Sequence, residues 1–223
     1  KNRYNKNRMV KEMNHYSAIV LCAGRGSRTG LQYNKMFYKI DHKTIYEMTM
    51  SVFLNDERCK QVVVVCKDEE RDDFASLIQD PRITFTQGGK ERQDSVFEGL
   101  KKVTEDYVLI HDGARPYLKK DLIDRILVCL ETHDACLPMV KCKDTIKRVI
   151  DGKVIETLKR EELYQAQTPQ SFRTSLIYQA YDEAIRTHQQ VTDDASVVEL
   201  LHHDVYVVEG DYDNIKVTTK EDL

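Results

Sequence analysis

The chain has 223 residues, 41% of them hydrophobic, with 34 basic and 37 acidic side chains that give a formal net charge of −3. This length and apolar content predict one α/β domain with a substantial core, and the balanced charge argues against binding to bulk nucleic acid or a membrane surface. The six cysteines form no C-x-x-C pair, which predicts reduced, buried thiols in a cytoplasmic protein. No apolar stretch reaches the roughly 20 residues that a membrane-spanning helix needs.

The first 14 residues differ in composition from the rest of the chain. They are polar and rich in Asn, Lys and Arg. We expect residues 1–14 to be a flexible N-terminal extension or a vector remnant, and residues 15–223 to form a single domain.

Short apolar runs alternate with helix-periodic segments along that domain. The predicted strands are residues 18–22, 61–66, 83–86, 107–110, 135–140 and 205–208. The predicted helices are residues 44–54, 69–79, 92–102, 121–132, 175–187 and 194–202. This order predicts an α/β fold with a Rossmann-like, mainly parallel sheet flanked by helices. The four consecutive valines at 62–65 are typical of a strand that is covered on both faces.

One segment breaks the alternation. Residues 145–150 and 154–158 have the character of two short strands joined at Asp151-Gly152, a strong signal for a two-residue hairpin turn. The strands mix charged with apolar residues, and a lone hairpin of this kind is marginally stable unless it packs on something. We therefore predict a projecting β-arm over about residues 141–162, with a second copy of the chain as its partner.

The first predicted strand leads into a small, basic, glycine-rich loop. The sequence A-G-R-G-S-R occupies residues 23–28, and Lys35 follows after a short polar stretch. Backbone N–H groups and cations in such a loop bind phosphates. The spacing of Gly24, Gly26 and Gly30 fits neither the Walker loop nor the dinucleotide fingerprint. The pattern predicts a nucleotide triphosphate site; the alternative is a turn in which the glycines serve backbone conformation alone.

Further polar clusters stand at the ends of other predicted elements. They are G-G-K-E-R-Q-D-S at 88–95, H-D-G-A-R-P at 111–116, Q-T-P-Q at 167–170 and N-I-K-V-T at 214–218. Ligands in parallel sheets gather at the carboxyl ends of the strands, so these clusters predict one site. The structural alternative makes Asp112 a turn cap and Arg115 a surface ion-pair partner. We interpret T-D-D-A-S at 192–196 as a capped helix start.

Taken in order, these motifs resemble the 2-C-methyl-D-erythritol 4-phosphate cytidylyltransferases from about residue 17 to residue 223. The run D-T-I-K-R at 144–148 belongs to the same pattern. The resemblance implies a nucleotidyltransferase that dimerises by exchanging a β-arm. The implied reaction transfers CMP from CTP to 2-C-methyl-D-erythritol 4-phosphate, giving 4-diphosphocytidyl-2-C-methyl-D-erythritol and pyrophosphate in non-mevalonate isoprenoid precursor synthesis.

The resemblance also implies roles for individual residues. The positions that match the catalytic cations are Arg28, Lys35, Arg160 and Lys216. Those that match contacts to CTP are Ala23, Gly24, Gly88, Arg92, Ser95 and Asp112. Those that match contacts to the acceptor are Asp112, Arg115, Thr145, Arg160, Thr168 and Lys216. If the arm is exchanged, Thr145 and Arg160 enter the partner's site.

The implied cofactor is Mg²⁺, bound mainly through the phosphates of CTP. We assign no side chain as a metal ligand, with Asp112 as the single candidate. The seven histidines show no metal-ligand spacing.

Some positions depart from the family pattern. Leu21 and Asn34 stand where many members have proline, and Thr29 stands where methionine is usual; we expect these changes to alter loop packing rather than chemistry. The family normally continues into a further helix after the position of Leu223.

Two other functions remain open from the sequence. A ribitol 5-phosphate cytidylyltransferase shares the fold and the T-P-Q and N-I-K-V-T segments, although Gly113-Ala114 favours the methylerythritol family. A non-catalytic nucleotide-binding or dimer-interaction protein is the second alternative. The joint presence of Arg28, Lys35, Arg160 and Lys216 argues against it.

Overall fold

The computed structural model describes residues 15–24 and 29–223, so the expectations for residues 1–14 and for Arg28 lie outside the described residues. The strands are β1 (Tyr16–Leu21), β2 (Lys39–Ile40), β3 (Lys43–Thr44), β4 (Cys59–Cys66), β5 (Ile83–Gln87), β6 (Tyr107–Asp112), β7 (Ala135–Lys141), β8 (Lys147–Ile150), β9 (Lys153–Thr157), β10 (Tyr164–Ala166), β11 (Gln170–Arg173) and β12 (Tyr206–Glu209). The α-helices are α1 (Ile45–Leu54), α2 (Arg71–Leu77), α3 (Arg92–Leu100), α4 (Lys120–Leu130), α5 (Thr174–Arg186) and α6 (Asp194–Glu199).

The main sheet has the order β10-β7-β11-β6-β1-β4-β5, and β12 pairs with β7. Strands β6, β1, β4 and β5 run parallel to one another, which confirms the predicted Rossmann-like, mainly parallel sheet. The sheet is nevertheless mixed, because β11 runs antiparallel between β6 and β7, and β10 also pairs antiparallel with β7. Neither strand was predicted, since both are short and carry no apolar run.

Helices cover both faces of the sheet. One apolar cluster joins Val62 and Val64 to α1 and α4, and a second joins Val63 and Val65 to α3, α5 and α6. The side chains of β4 alternate between these two layers, as the run of valines predicts. Helices α2 and α6 are shorter than predicted: residues 68–70 form a separate 3-10 turn, and α6 ends at Glu199.

The predicted hairpin is present as β8 and β9. Asp151 (φ 48°) and Gly152 (φ 75°) both adopt the left-handed conformation that a tight two-residue hairpin turn requires. Every residue of the two strands is exposed. Within the described part of the chain the arm therefore has no packed face.

The six cysteines are free thiols, four of them buried and two, Cys129 and Cys142, half-buried. Among the described residues, no helix combines the length and the apolar character needed to cross a bilayer.

Candidate active site

A cleft of about 770 Å³ lies at the carboxyl edge of the parallel strands. The strand register explains its position, because Leu21 at the end of β1 lies beside both Val65 and Asp112. Five basic side chains line the cleft against two acidic ones among the described residues. The basic ones are Lys35, Lys67, Lys90, Arg92 and Lys216, and the acidic ones are Glu91 and Asp112. This excess of positive charge suits a polyanionic ligand.

Asp112 is the anion around which the cations gather. Its carboxylate lies 2.7 Å from Nζ of Lys216, 3.5 Å from Nε of Arg92 and 3.9 Å from Nε of Arg115. Burial alone would raise the pKa of this carboxyl, but Arg92 and Lys216 outweigh burial and hold the pKa well below its usual range. Asp112 is therefore ionised and fixes the positions of the cations, so it is not merely a turn cap.

A buried hydrogen-bond chain supports Asp112 from below. The N–H of Asp112 donates to Oγ1 of Thr168 at 3.1 Å, and this hydroxyl also lies 3.0 Å from Nδ1 of His111. Nε2 of His111 lies 3.2 Å from the carbonyl of Arg115. Because burial lowers the pKa of His111 to about 4, the ring is neutral, and protonation at Nε2 satisfies both contacts. Thr168 thus lies beneath Asp112, outside the residues that line the cleft.

The segment 214–218 is locked to the end of β6. The N–H of Val217 donates to the carbonyl of Ala114 at 2.8 Å, and Nη1 of Arg115 donates to the carbonyl of Asn214 at 2.6 Å. Nδ2 of the buried Asn214 donates to the carbonyl of Thr168 at 2.9 Å. These bonds place Lys216 over Asp112. Arg115 is only 12% exposed, which rules out the surface ion-pair interpretation.

Lys35 reaches the same segment from the other side of the cleft. Its Nζ donates to the carbonyl of Val217 at 2.6 Å. Asn34 caps the 3-10 turn that carries Lys35, and its Nδ2 donates to the carbonyl of Cys22 at 2.8 Å and to Glu70 at 2.9 Å. Asn34, which stands where many family members have proline, therefore anchors the loop that carries Lys35. These contacts concern the packing of the loop.

The end of the cleft at Gly88 is narrow, because Ala23 and Ser95 lie close to the backbone of this glycine. A Cβ at this position would lie 2.8 Å from Cβ of Ala23 and 2.9 Å from Oγ of Ser95. Oγ of Ser95 accepts from the N–H of Gly89 at 3.1 Å. This hydroxyl also donates to the carbonyl of Glu91 at 3.1 Å. A backbone without a Cβ at Gly88 suits close approach by a flat group such as a nucleobase.

Two predicted site residues lie away from the cleft of their own chain. Thr145 is exposed just before β8, and Arg160 is exposed with Nη1 3.2 Å from the carbonyl of Lys143. Neither lines the cleft. Their predicted roles depend on a partner subunit and stay predictions.

Sequence reasoning missed two residues behind the cleft. Asp194 is fully buried and forms an ion pair with Arg92, and Tyr181 donates to it. Asp193 does cap α6, as the capped-helix interpretation predicts, because it accepts from the N–H of Ser196 at 3.0 Å. No local pattern signals that Asp194 pairs with a residue 102 positions away.

The donor set limits how a metal ion could be held. The described residues contain no group of three or more His, Cys, Asp or Glu side chains placed to bind a metal. Asp112 offers one carboxylate in the cleft, already surrounded by cations. This fits Mg²⁺ that arrives on substrate phosphates, since Mg²⁺ often takes only one or two protein carboxylates.

The family model for 2-C-methyl-D-erythritol 4-phosphate cytidylyltransferase matches residues 16–223. The chain belongs to this family. The cytidylyltransferase of Geobacillus thermodenitrificans is 44% identical over 215 residues, 94% of each chain, and that of Bacillus pumilus is 43% identical over 216 residues, also 94% of each.

Solved structures of the family show the same fold. The synthase of 4-diphosphocytidyl-2C-methyl-D-erythritol from Anaerococcus prevotii superposes with a TM-score of 0.83 at 31% identity and covers 95% of both chains. The Francisella tularensis cytidylyltransferase superposes with a TM-score of 0.81 at 29% identity, over 94% of this chain and 96% of its own. Membership of the methylerythritol family confirms the resemblance and decides against the ribitol family.

Proposed function

We propose that this chain transfers the cytidylyl group of CTP to 2-C-methyl-D-erythritol 4-phosphate and releases pyrophosphate. The observation that carries the proposal is the cation cluster around Asp112, at the carboxyl edge of a sheet whose chain matches this family over residues 16–223. A relic without chemistry has no electrostatic reason to keep five basic side chains against two acidic ones along the described cleft, because an excess of like charge is repulsive until an anionic ligand compensates it.

To catalyse this reaction, the protein must stabilise negative charge, and it need not transfer a proton. A phosphate oxygen of the acceptor forms a bond to the α-phosphorus of CTP, and the bond from that phosphorus to the bridging oxygen breaks as pyrophosphate leaves. The nucleophile is already anionic, so no general base is required. The barrier comes from repulsion between anions and from charge that builds on the α-phosphate, and fixed cations lower both.

Lys35 and Lys216 are the two predicted catalytic cations that line the described cleft, and both are assigned to this task. The carbonyl of Val217 orients the ammonium of Lys35, and the carboxylate of Asp112 orients that of Lys216. Lysine supplies a compact charge suited to a phosphoryl oxygen. Arg28, which lies outside the described residues, is assigned to the triphosphate by its place in the family motif.

We assign the cytosine ring to the narrow end of the cleft. Ala23, Gly24 and Gly88 offer backbone groups there, and Ser95 and Arg92 stand at its edge. Because Gly88 has no side chain, its backbone lies directly against Ala23 and Ser95, and no Cβ covers it. Asp112 lies between this end and the acceptor and orients the cations for both substrates.

We assign the acceptor to the region of Asp112, Arg115 and Lys216, with Thr168 supporting Asp112 from below. Thr145 and Arg160 complete this region in a homodimer that exchanges the β-arm. The exposed strands of the arm support this assembly, and so does the exposed side chain of Arg160, which among the described residues donates only to a backbone carbonyl of the same arm.

Mg²⁺ would be held mainly by the phosphates of CTP, and Asp112 is the candidate side chain for holding it among the described residues of the cleft. When bound, the ion neutralises phosphate charge and assists departure of pyrophosphate. Every other contribution above comes from side chains and backbone of the chain itself.

Pyrophosphate release tests the proposal. The protein is incubated with Mg²⁺ and each of CTP, ATP, GTP and UTP, with either methylerythritol phosphate or ribitol 5-phosphate as acceptor. We expect rapid release only with CTP and methylerythritol phosphate. Preference for ribitol 5-phosphate contradicts the assigned acceptor. No pyrophosphate release with any combination of nucleotide and acceptor favours a non-catalytic protein.

A further inference from the structure

Arg92 reaches the cleft with its guanidinium held from behind. The side chain is 31% exposed, whereas the carboxylate of its partner Asp194 is fully buried. Nη1 of Arg92 donates to Oδ1 of Asp194 at 2.9 Å, and Nη2 donates to Oδ2 at 2.7 Å. Nε faces Asp112 at 3.5 Å. A bidentate ion pair of this kind fixes the plane of the guanidinium as well as its position.

A tyrosine hydroxyl is the third hydrogen-bond donor to the carboxylate of Asp194. The hydroxyl of Tyr181 on α5 donates to Oδ1 at 2.6 Å, and Tyr181 itself is 1% exposed. Three donors thus satisfy both oxygens of a carboxylate that has no contact with solvent. A buried carboxylate is retained at such a position only when its partners compensate the loss of hydration.

The segment that carries Asp194 is anchored to the central sheet. Gln170 on β11 donates from Nε2 to Asp193 at 2.8 Å and accepts from the N–H of Ala195 at 2.8 Å. These two bonds bracket Asp194 in sequence and connect the start of α6 to β11. A continuous chain of contacts therefore runs from β11 through α6 to a guanidinium in the cleft.

We infer that Asp194 is a positioning residue that fixes the guanidinium of Arg92 and thereby sets the affinity of the cleft for CTP. The inference rests on the proposed function, because the contact of Arg92 with CTP comes from it. Asp194 adds no charge that attracts the nucleotide; it acts by orientation, since an arginine held in place loses less freedom when the ligand binds. The T-D-D-A-S segment then serves binding as well as the start of α6.

Binding of CTP to the protein in the absence of acceptor tests the inference by calorimetry. We expect Asp194→Asn to weaken CTP binding about tenfold, because the neutral amide no longer holds both nitrogens of Arg92. The matched control is Glu199→Gln, which removes an exposed carboxylate at the opposite end of α6. Its Kd for CTP is expected to stay within about twofold of the original protein, because exposed substitutions away from a site have small effects.

A double variant separates positioning from structural support. If Asp194 acts through Arg92, Asp194→Asn in an Arg92→Ala background weakens CTP binding by less than about twofold further. If Asp194 only stabilises the fold, the same factor appears in both backgrounds. That result, or an unchanged Kd in Asp194→Asn alone, overturns the inference.

If Asp194→Asn does not fold, Tyr181→Phe tests whether Asp194 positions Arg92. It removes the donor to Oδ1 and keeps the ring, so we expect a smaller weakening of CTP binding, about two- to fivefold. An unchanged Kd overturns the inference here too.

Turnover of the unsubstituted protein with methylerythritol phosphate is measured in parallel. Absence of transfer contradicts the proposed function, whereas normal transfer with no effect of these variants contradicts only the role of Asp194.

Discussion

The cleft and the β-arm are built in opposite ways. In the cleft, Asp112 is 8% exposed and lies within reach of three cations, and buried hydrogen bonds fix the backbone beneath it. In the arm, all the residues of β8 and β9 are exposed, and Val149, Ile150, Val154 and Ile155 are each about half exposed. A single chain preorganises the first region and leaves the second without a partner.

In the proposed homodimer, this difference predicts which functions one chain supplies alone and which need two chains. Preorganised charge has to be held rigidly, which a packed sheet edge achieves without help from another molecule. A two-stranded hairpin is marginally stable alone, so its geometry depends on whatever it packs against. We therefore expect substitutions in the cleft to act within one subunit, and substitutions in the arm to act on the subunit opposite.

The largest expected effect is that of Lys216→Ala. Removing a cation aimed at the developing charge lowers kcat by about 100- to 1,000-fold. Stability changes by less than about 1 kcal/mol, because Lys216 is partly exposed and Asp112 keeps Arg92 and Arg115. Steady-state kinetics and thermal unfolding measure the two quantities. The control is the exposed Lys220→Ala on the same segment, and a kcat within about threefold of the original for Lys216→Ala contradicts its role.

Subunit mixing sharpens the contrast between cleft and arm. Arg160→Ala and Lys216→Ala are each expected to be nearly inactive alone. If the arm is exchanged, a mixed dimer contains one site with both residues intact, so an equimolar mixture recovers about a quarter of the original activity. The mixture is refolded together or incubated until subunits exchange, and tandem tags confirm that mixed dimers form. Mixed dimers without recovered activity show that each chain uses its own arm.

Gly88→Ala tests the narrow end of the cleft. The added methyl group meets Ala23 and Ser95 at less than 3 Å, so either the neighbours shift or the space for the base closes. We expect the KM for CTP to rise about tenfold while kcat changes little. Gly152→Ala is the comparison in the arm, where the glycine meets nothing but has a φ of 75°. If Gly88→Ala binds CTP as before, the base does not approach this strand end.

The smallest expected effect concerns His111. Its folded-state pKa of about 4 lies below the usual value near 6.5, so between these values the unfolded chain binds a proton that the native chain does not. The contribution of neutral His111 to stability is complete above pH 6.5 and declines as the pH falls towards 4. We expect a loss of about 1 kcal/mol between pH 7.5 and 5.5, measured by urea unfolding. A His111→Gln variant is expected to lose correspondingly less over this range; equal losses contradict the assignment.

Patterns along the chain predict much of this fold. The buried strands β1, β4 and β6 have apolar runs, and the turn at Asp151-Gly152 has residues suited to its conformation. Strands β10 and β11 escaped prediction because pairing with β7 stabilises them rather than any propensity of their own. Their position in the sheet is a tertiary property.

The candidate site divides in a similar way. The sequence motifs that contain Lys35, Asp112 and Lys216 predict one shared site, and the structure brings these three side chains to the same cleft. The pairing of Arg92 with Asp194 depends on how α6 packs behind α3, which no spacing in the sequence encodes. The buried position of Thr168 beneath Asp112 likewise follows from the antiparallel strand that was not predicted.

Phosphorus NMR of the reaction mixture is the most direct test of cytidylyl transfer. The protein is incubated with CTP, Mg²⁺ and methylerythritol phosphate, and the spectrum is followed over time. The account predicts that the acceptor's phosphate monoester signal disappears as two coupled diphosphate signals and an equal amount of pyrophosphate appear. Pyrophosphate accompanied by free CMP and an unchanged acceptor would show hydrolysis in place of transfer, and would contradict the account.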